Sequence, residues 1–185
     1  MGEMVNLLML FAVQPRKEGV LLHTVACLAA GVWLALTCVA CADGRTATAP
    51  AIPTPGPDAV RAKVLYVVDG DTIHVEIDGN EYRLRYIGMD APERDEEFYQ
   101  ESTDANRTLV QGETVRLEKD VSETDRYGRL LRYVWVGDVM VSAEMVRLGY
   151  AHAGTYVPDV KHQARLIELQ REAMAAKRGL WGDGN

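Results

Sequence analysis

An α+β fold is predicted, a five-stranded β-barrel with about three helices. Three observations predict it: short runs in which apolar and polar residues alternate, Gly/Asp/Asn turns between those runs, and longer segments of helical spacing concentrated later in the chain. The 185 residues, 48% hydrophobic and 25% charged, suit one globular domain plus an accessory segment, and no internal repeat is present.

The accessory segment is N-terminal and occupies residues 1–42. Gly19 to Ala42 carries no Asp, Glu, Lys or Arg and follows Arg16-Lys17, the pattern of an export signal or a membrane anchor. Ala40-Cys41-Ala42 is a small-x-small site whose cleavage would leave Asp43 as the new terminus, and removal is the favoured reading. Two rivals stand beside it: lipidation at Cys41, since Val39-Ala40-Cys41 loosely resembles a lipoprotein site, and retention, since the run is long enough to span a bilayer. The earlier apolar run, Met4 to Val13, is assigned no role. Cys27, Cys38 and Cys41 all fall in this segment, so the remainder of the chain holds neither a disulfide nor a thiolate metal site. Residues 43–59 hold Pro50, Pro53, Pro55 and Pro57 among Ala and Thr, too little apolar surface for a core, and read as an extended linker.

The domain is expected over residues 60–182. Its strands are Val64–Val68, Thr72–Ile77, Tyr82–Ile87, Thr114–Lys119 and Leu130–Val136, with Asp78-Gly79-Asn80 and Gly137-Asp138 as turns. Five such strands suit a barrel of the OB type. Helices fit the gaps at Glu97–Val110, Val141–Leu148 and Asp159–Arg178. The last has Asp159 as N-cap, an apolar stripe of Val160, Ala164, Ile167 and Met174, and Gly179 as the left-handed cap that folds Leu180 and Trp181 back on it.

Three segments carry the chemistry: Asp69-Gly70-Asp71-Thr72, Arg85 to Glu93, and Thr124 to Arg129. Two carboxylates can supply hard oxygen ligands to a divalent cation, a third can orient a water, and two guanidiniums can clamp a phosphate. Asp71 opens the second strand and Asp90 ends the third, so antiparallel pairing could bring both acids to one rim. Arg83 and Arg85 share a strand face, and alternation alone does not choose between them. Asp-Gly-Asp-Thr read alone is as often a plain hairpin turn as a metal loop, and Glu93 read alone is a solvated loop acid.

In order, spacing and flanking residues these segments resemble the staphylococcal (micrococcal) nuclease family, with the likeness running from about Arg61 to Trp181. The resemblance implies a Ca2+-dependent phosphodiesterase that cuts DNA and RNA to 3′-phosphate ends. It implies metal ligation by Asp71, Asp90 and the backbone carbonyl of Ala91, where the family often has Thr. It gives Glu93 the attacking water, Arg85 rather than Arg83 the phosphate, Arg129 the departing 5′ oxygen, and Tyr156 a substrate-platform role, though a second expected tyrosine is replaced by Gly154 or Thr155. Asp69 is read as supporting the metal loop from behind or capping the hairpin, and Arg126 and Tyr127 as substrate contacts or ordinary surface groups. The four histidines, His23, His74, His152 and His162, show no ligand spacing and receive no role.

Charge runs against this reading. The net charge is −7, and the charged residues of the first 42 positions (Glu3, Arg16, Lys17, Glu18) cancel, so the exported portion keeps the whole deficit. Binders of nucleic acid are ordinarily basic, so a local cationic patch, weak binding and marked salt dependence are expected. DNA and RNA are the expected partners of an exported, envelope-tethered or secreted monomer. The alternatives are an OB module that binds nucleic acid or a protein without chemistry, and a membrane-attached adaptor.

Overall fold

The computed structural model describes residues 54–182; the expected signal or anchor, Cys41 and the linker up to Pro53 lie outside the described residues. Eight strands and three α-helices follow one another as β1 (Val60–Val67), β2 (Thr72–Ile77), β3 (Asn80–Tyr86), β4 (Met89–Asp90), α1 (Tyr99–Val110), β5 (Thr114–Glu118), β6 (Leu130–Val136), β7 (Val139–Met140), α2 (Val141–Leu148), β8 (His152–Ala153) and α3 (Gln163–Ala175). A 3-10 turn at Gly179–Trp181 ends the set. The sheet runs β3-β2-β1-β5-β6-β7, and parallel pairing of β3 with β6 closes its five long strands into a barrel. This is the expected α+β fold. Closure removes the unpaired edges that an open sheet would expose.

Period-two alternation builds the barrel interior: Ala62, Val64, Ile73, Val75, Leu84, Tyr86, Val115 and Leu117 are buried, while their chain neighbours face outward or are covered by loops. β1 starts at Val60, four residues before the expected Val64, because Val60–Lys63 pair with Thr114–Leu117 of β5, a partner distant in sequence. β4, β7 and β8 are two residues each, too short for a periodic signal.

Two helix boundaries and one stripe differ from expectation. α1 begins after Phe98, which adopts a left-handed conformation at φ 66°, rather than at Glu97. α3 begins at Gln163, and Asp159 does not cap it. The Asp159 carboxylate instead accepts the N–H groups of Val121 (2.9 Å) and Ser122 (2.8 Å), fastening the loop before α3 to the loop after β5. The buried face of α3 is Leu166, Leu169 and Ala173, whereas Val160 and Met174 of the expected stripe are exposed. Lys177, at φ 51°, takes the left-handed position at its C-terminus, with Arg178 N–H bonded to the Ala173 carbonyl at 3.0 Å. Gly179 lies beyond the cap. The turn it opens is tied to the end of α2 by Leu180 N–H to the Gly149 carbonyl (2.8 Å), and the Trp181 ring meets His152 edge-on at 5.0 Å.

His162 and Glu118 are buried beside Trp135 of β6. Glu118 accepts the indole N–H of Trp135 (3.0 Å), lies 3.1 Å from His162 Nε2, and pairs with Lys161. Among the described residues no helix is long and apolar enough to cross a membrane.

Candidate active site

The turn from β1 to β2 aims Asp71. Its N–H bonds to the Asp69 carboxylate (3.1 Å), and Asn106 of α1 donates to the Asp69 carbonyl (2.8 Å) while accepting the Tyr86 hydroxyl (2.8 Å). Asp69 thus shapes the turn that carries Asp71. Gly70 must lack a side chain, since a Cβ there would lie 2.1 Å from Ser102 Oγ and 2.6 Å from the Ala91 Cβ.

Pairing carries Asp71 to Arg85. Thr72 stands opposite Arg85 in the β2–β3 ladder, and Tyr86 N–H bonds to the Asp71 carbonyl at 2.9 Å. Asp71 is 3% exposed, so its charge must be met inside the protein. Its Oδ1 accepts the Thr72 hydroxyl (2.8 Å) and Arg85 (2.9 Å), and its Oδ2 accepts the Ala91 N–H (3.3 Å). Burial nevertheless pushes Asp71 up to about 6, with nearby Asp69 adding to the rise and Arg85, Thr72 and Ala91 opposing it.

The second guanidinium nitrogen of Arg85 bonds to the more exposed Asp90. One planar fork therefore holds two carboxylates, which a lysine could not do. For Arg85, burial works against its charge, and Asp71 and Asp90 more than restore it. Arg83, the other candidate, is exposed and stands opposite His74, outside this group.

Barrel closure supplies the second arginine. Leu84 pairs with Leu130 and Arg85 with Leu131, so Arg129, just before β6, comes to the edge of β3 and lines the same cleft as Arg85. Arg129 Nε donates to Asp125 Oδ2 at 2.6 Å, and the other Asp125 oxygen accepts the N–H groups of Tyr127 (2.9 Å) and Arg129 (3.0 Å). Burial opposes the charge of Asp125, but these bonds from Arg129 and Tyr127 hold its pKa below the usual carboxylate range. Gripping Nε leaves the terminal nitrogens of Arg129 for other work. The Arg126 and Arg129 guanidiniums lie 4.8 and 5.4 Å from the Tyr127 ring centre, within cation–π range.

The short β4–β8 ladder sets Asp90 opposite His152, and Gly154 N–H bonds to the Gly88 carbonyl at 2.9 Å. A Cβ on Gly154 would lie 2.3 Å from Tyr156 Cε2, so this glycine gives the Tyr156 ring its seat. Burial and then Asp90 raise the pKa of the Tyr156 hydroxyl, and Arg85 opposes them.

One cleft of about 560 Å³ is lined by Arg85, Glu93, Arg126, Tyr127, Arg129 and Tyr156 among others. Asp71 and Asp90 stand behind Arg85 rather than on the lining, and Asp69 lies behind Asp71. Glu93 is exposed at the cleft, with its N–H bonded to Glu96 at 2.8 Å. Among the described residues no three His, Cys, Asp or Glu side chains converge as a metal cage. Two hard carboxylates meeting at one cationic centre do fit a donor set for an oxygen-seeking divalent ion, completed by main chain and water. The contact of Ala91 with Asp71 is through its N–H.

Three supporting roles were not foreseen: those of Thr72, Asn106 and Gly154. Asn106 carried a readable signal, a short amide on the buried side of an amphipathic helix, where a polar group needs partners. Gly154 carried none, because its need arises from Tyr156 folding across it.

A family model described as staphylococcal nuclease homologue matches residues 83–183. A thermonuclease of Staphylococcus hyicus is 39% identical over 127 residues, covering 65% of this chain and 75% of the relative. A thermonuclease of Staphylococcus intermedius is 34% identical over 121 residues (62% and 72%), and a protein of Escherichia coli named as an uncharacterized endonuclease is 38% identical over 127 residues (68% and 80%).

Proposed function

The chain belongs to the staphylococcal nuclease family and is a hydrolase acting on nucleic acids, and on that premise we propose that it is a Ca2+-dependent phosphodiesterase cutting DNA and RNA to 3′-phosphate products. The observation that carries the proposal is the shared cleft in which Arg85, Glu93 and Arg129 meet, with Arg85 anchored on Asp71 and Asp90.

Asp71, Asp90 and the Ala91 carbonyl would hold the ion, whose contribution is Lewis-acid polarisation of the phosphate and a lowered pKa for water. Glu93 orients the attacking water and takes up its proton. The new bond joins water oxygen to phosphorus, the bond from phosphorus to the 5′ oxygen breaks, and that oxygen, its charge met by Arg129, takes a proton from solvent and leaves as a 5′ hydroxyl. Negative charge grows on the phosphoryl oxygens during this step. Arg85 and Arg129 meet it with planar forks already fixed by Asp71, Asp90 and Asp125, so little reorganisation is needed. Arg126, Tyr127 and Tyr156 bind flanking phosphate or base without reading sequence.

Plasmid digestion in calcium, magnesium or chelator tests the proposal. Cleavage with calcium and none with chelator is expected, and DNA binding without cleavage in any ion would instead favour the binding-module reading. For its cellular place we propose export with removal of residues 1–42 or lipid attachment at Cys41; mass spectrometry of the native N-terminus separates cleavage, lipidation and retention.

A further inference from the structure

The register of the barrel gathers a second set of groups on the outer face of β1–β2–β3, and nothing in the cleft uses them. Tyr66 pairs with His74 and His74 with Arg83, while Lys63 pairs with Glu76 and Glu76 with Glu81. Paired residues share a face, and so do alternate residues of a strand. Arg61, Lys63, Tyr66, His74, Arg83 and Arg85 therefore lie on one side, opposite the core residues Ala62, Val64, Ile73, Val75 and Leu84. A bulge in β1 between Val64 and Tyr66 keeps Tyr66 on this side. Arg61, Lys63 and Arg83 are exposed, and Tyr66 is 46% exposed.

Cations outnumber acids on this face of a chain whose net charge is −7. The two acids in the ladder are Glu76, opposite Lys63, and Glu81, which is already engaged. The Tyr66 hydroxyl donates to Glu81 Oε1 at 3.2 Å, and His74 Nδ1 stands 2.5 Å from the same oxygen. A carboxylate only accepts, so Nδ1 carries the proton there. Glu81 thus pins two rings that are stacked with centres 4.3 Å apart and planes 17° apart. A fixed aromatic pair flanked by cations is a platform for an unpaired base between phosphates.

We propose that this face carries the substrate strand away from the scissile phosphate, with phosphates over Arg83, Lys63 and Arg61 and a base on the Tyr66–His74 pair. Rows of the ladder two residues apart are separated by about 7 Å, so three rows beyond Arg85 extend the site by about 20 Å. That suits the few nucleotides at the lower end of OB-fold sites. The path begins at Arg85, continuous with the cleft, and names the surface that offsets the acidic net charge. It rests on the nuclease reading above.

The test uses the full chain with calcium and two substrates: a p-nitrophenyl phosphodiester of thymidine, too small to leave the cleft, and a 30-nucleotide single-stranded oligothymidylate. The triple variant Arg61→Glu/Lys63→Glu/Arg83→Glu should raise the KM for the oligonucleotide at least about tenfold at 0.15 M salt and flatten its log–log salt slope by about 2. Its kcat/KM on the small ester should stay within about twofold of wild type, since those side chains lie outside the cleft. Tyr66→Ala should raise the oligonucleotide KM by about fivefold or more. The same three positions changed to Ser, which adds no repulsion, should move KM in the same direction. An unchanged oligonucleotide KM, or equal losses on both substrates, overturns the path. A wild-type chain that hydrolyses neither substrate overturns the nuclease reading itself.

Discussion

Replacing Asp71 by Asn should make the metal-free domain more stable while removing its response to metal. Asp71 is buried, and its pKa lies near 6 against 3.8 for the free group, so holding it ionised in the fold costs about 3 kcal/mol at 1.36 kcal/mol per pKa unit. The folded state binds that proton more tightly than the unfolded chain, so stability falls as pH rises from 3.8 to about 6 and is level above. Asparagine removes the cost. It can still accept from Arg85 through its carbonyl oxygen but offers an amide nitrogen to the Ala91 N–H, a contact of 3.3 Å whose loss costs about 1 kcal/mol. The variant should therefore be about 2 kcal/mol more stable than wild type in chelator at pH 8, a shift of roughly 1 M in the urea midpoint. The advantage should vanish at pH 4, and calcium should raise the wild-type midpoint but not the variant's. Equal or lower stability of the variant at pH 8 in chelator would refute the claim that this acid is held charged against its surroundings.

Arg85→Lys should lower kcat by about 10² to 10³ and do little better than Arg85→Ala, because one ammonium cannot span Asp71 and Asp90 and still face the phosphate; steady-state kinetics on DNA with near-normal turnover would reject its assignment. Gly154→Ala places a methyl where Tyr156 sits, so its effect on KM should match that of Tyr156→Ala; Michaelis curves for the two variants compare them directly. At Glu118, burial opposes ionisation, but hydrogen bonds from Lys161 and His162 prevail and lower its pKa below 4.5. This contribution to stability is present above about pH 4.5 and lost as pH falls through the depressed value, so thermal melts of Glu118→Gln should show a weaker acid dependence.

Alternation in β2, β3 and β5 was visible in sequence because each strand has one buried and one open or loop-covered face, whereas β6 was visible as an apolar run, with Tyr133, Val134 and Trp135 all buried. The start of β1 was not, since it depends on pairing with β5. Asp159 was misjudged for a related reason: an acid before a helix has the local look of a cap, and its true partners, Val121 and Ser122, are 38 and 37 positions away. The acids and arginines of the site were legible as types and spacings. What sequence could not supply was the choice between Arg83 and Arg85 from alternation, since both point outward. The fold separates them by surroundings: Arg85 is half-buried, bonded to Asp71 and Asp90, and lines one cleft with Arg129, whereas Arg83 is exposed opposite His74. The histidines, given no role, turn out to have partners instead: His74 stacks on Tyr66, His162 lies beside Glu118, and His152 meets Trp181, while His23 lies outside the described residues.

The most direct measurement is the end chemistry of a 5′-labelled oligonucleotide incubated with wild type and with Arg85→Ala, in calcium and in chelator. Calcium-dependent fragments bearing 3′-phosphate from wild type, and at most about a hundredth of that rate from the variant, are predicted. Fragments with 3′-hydroxyl ends, cleavage that persists in chelator, or a variant as fast as wild type would contradict the account.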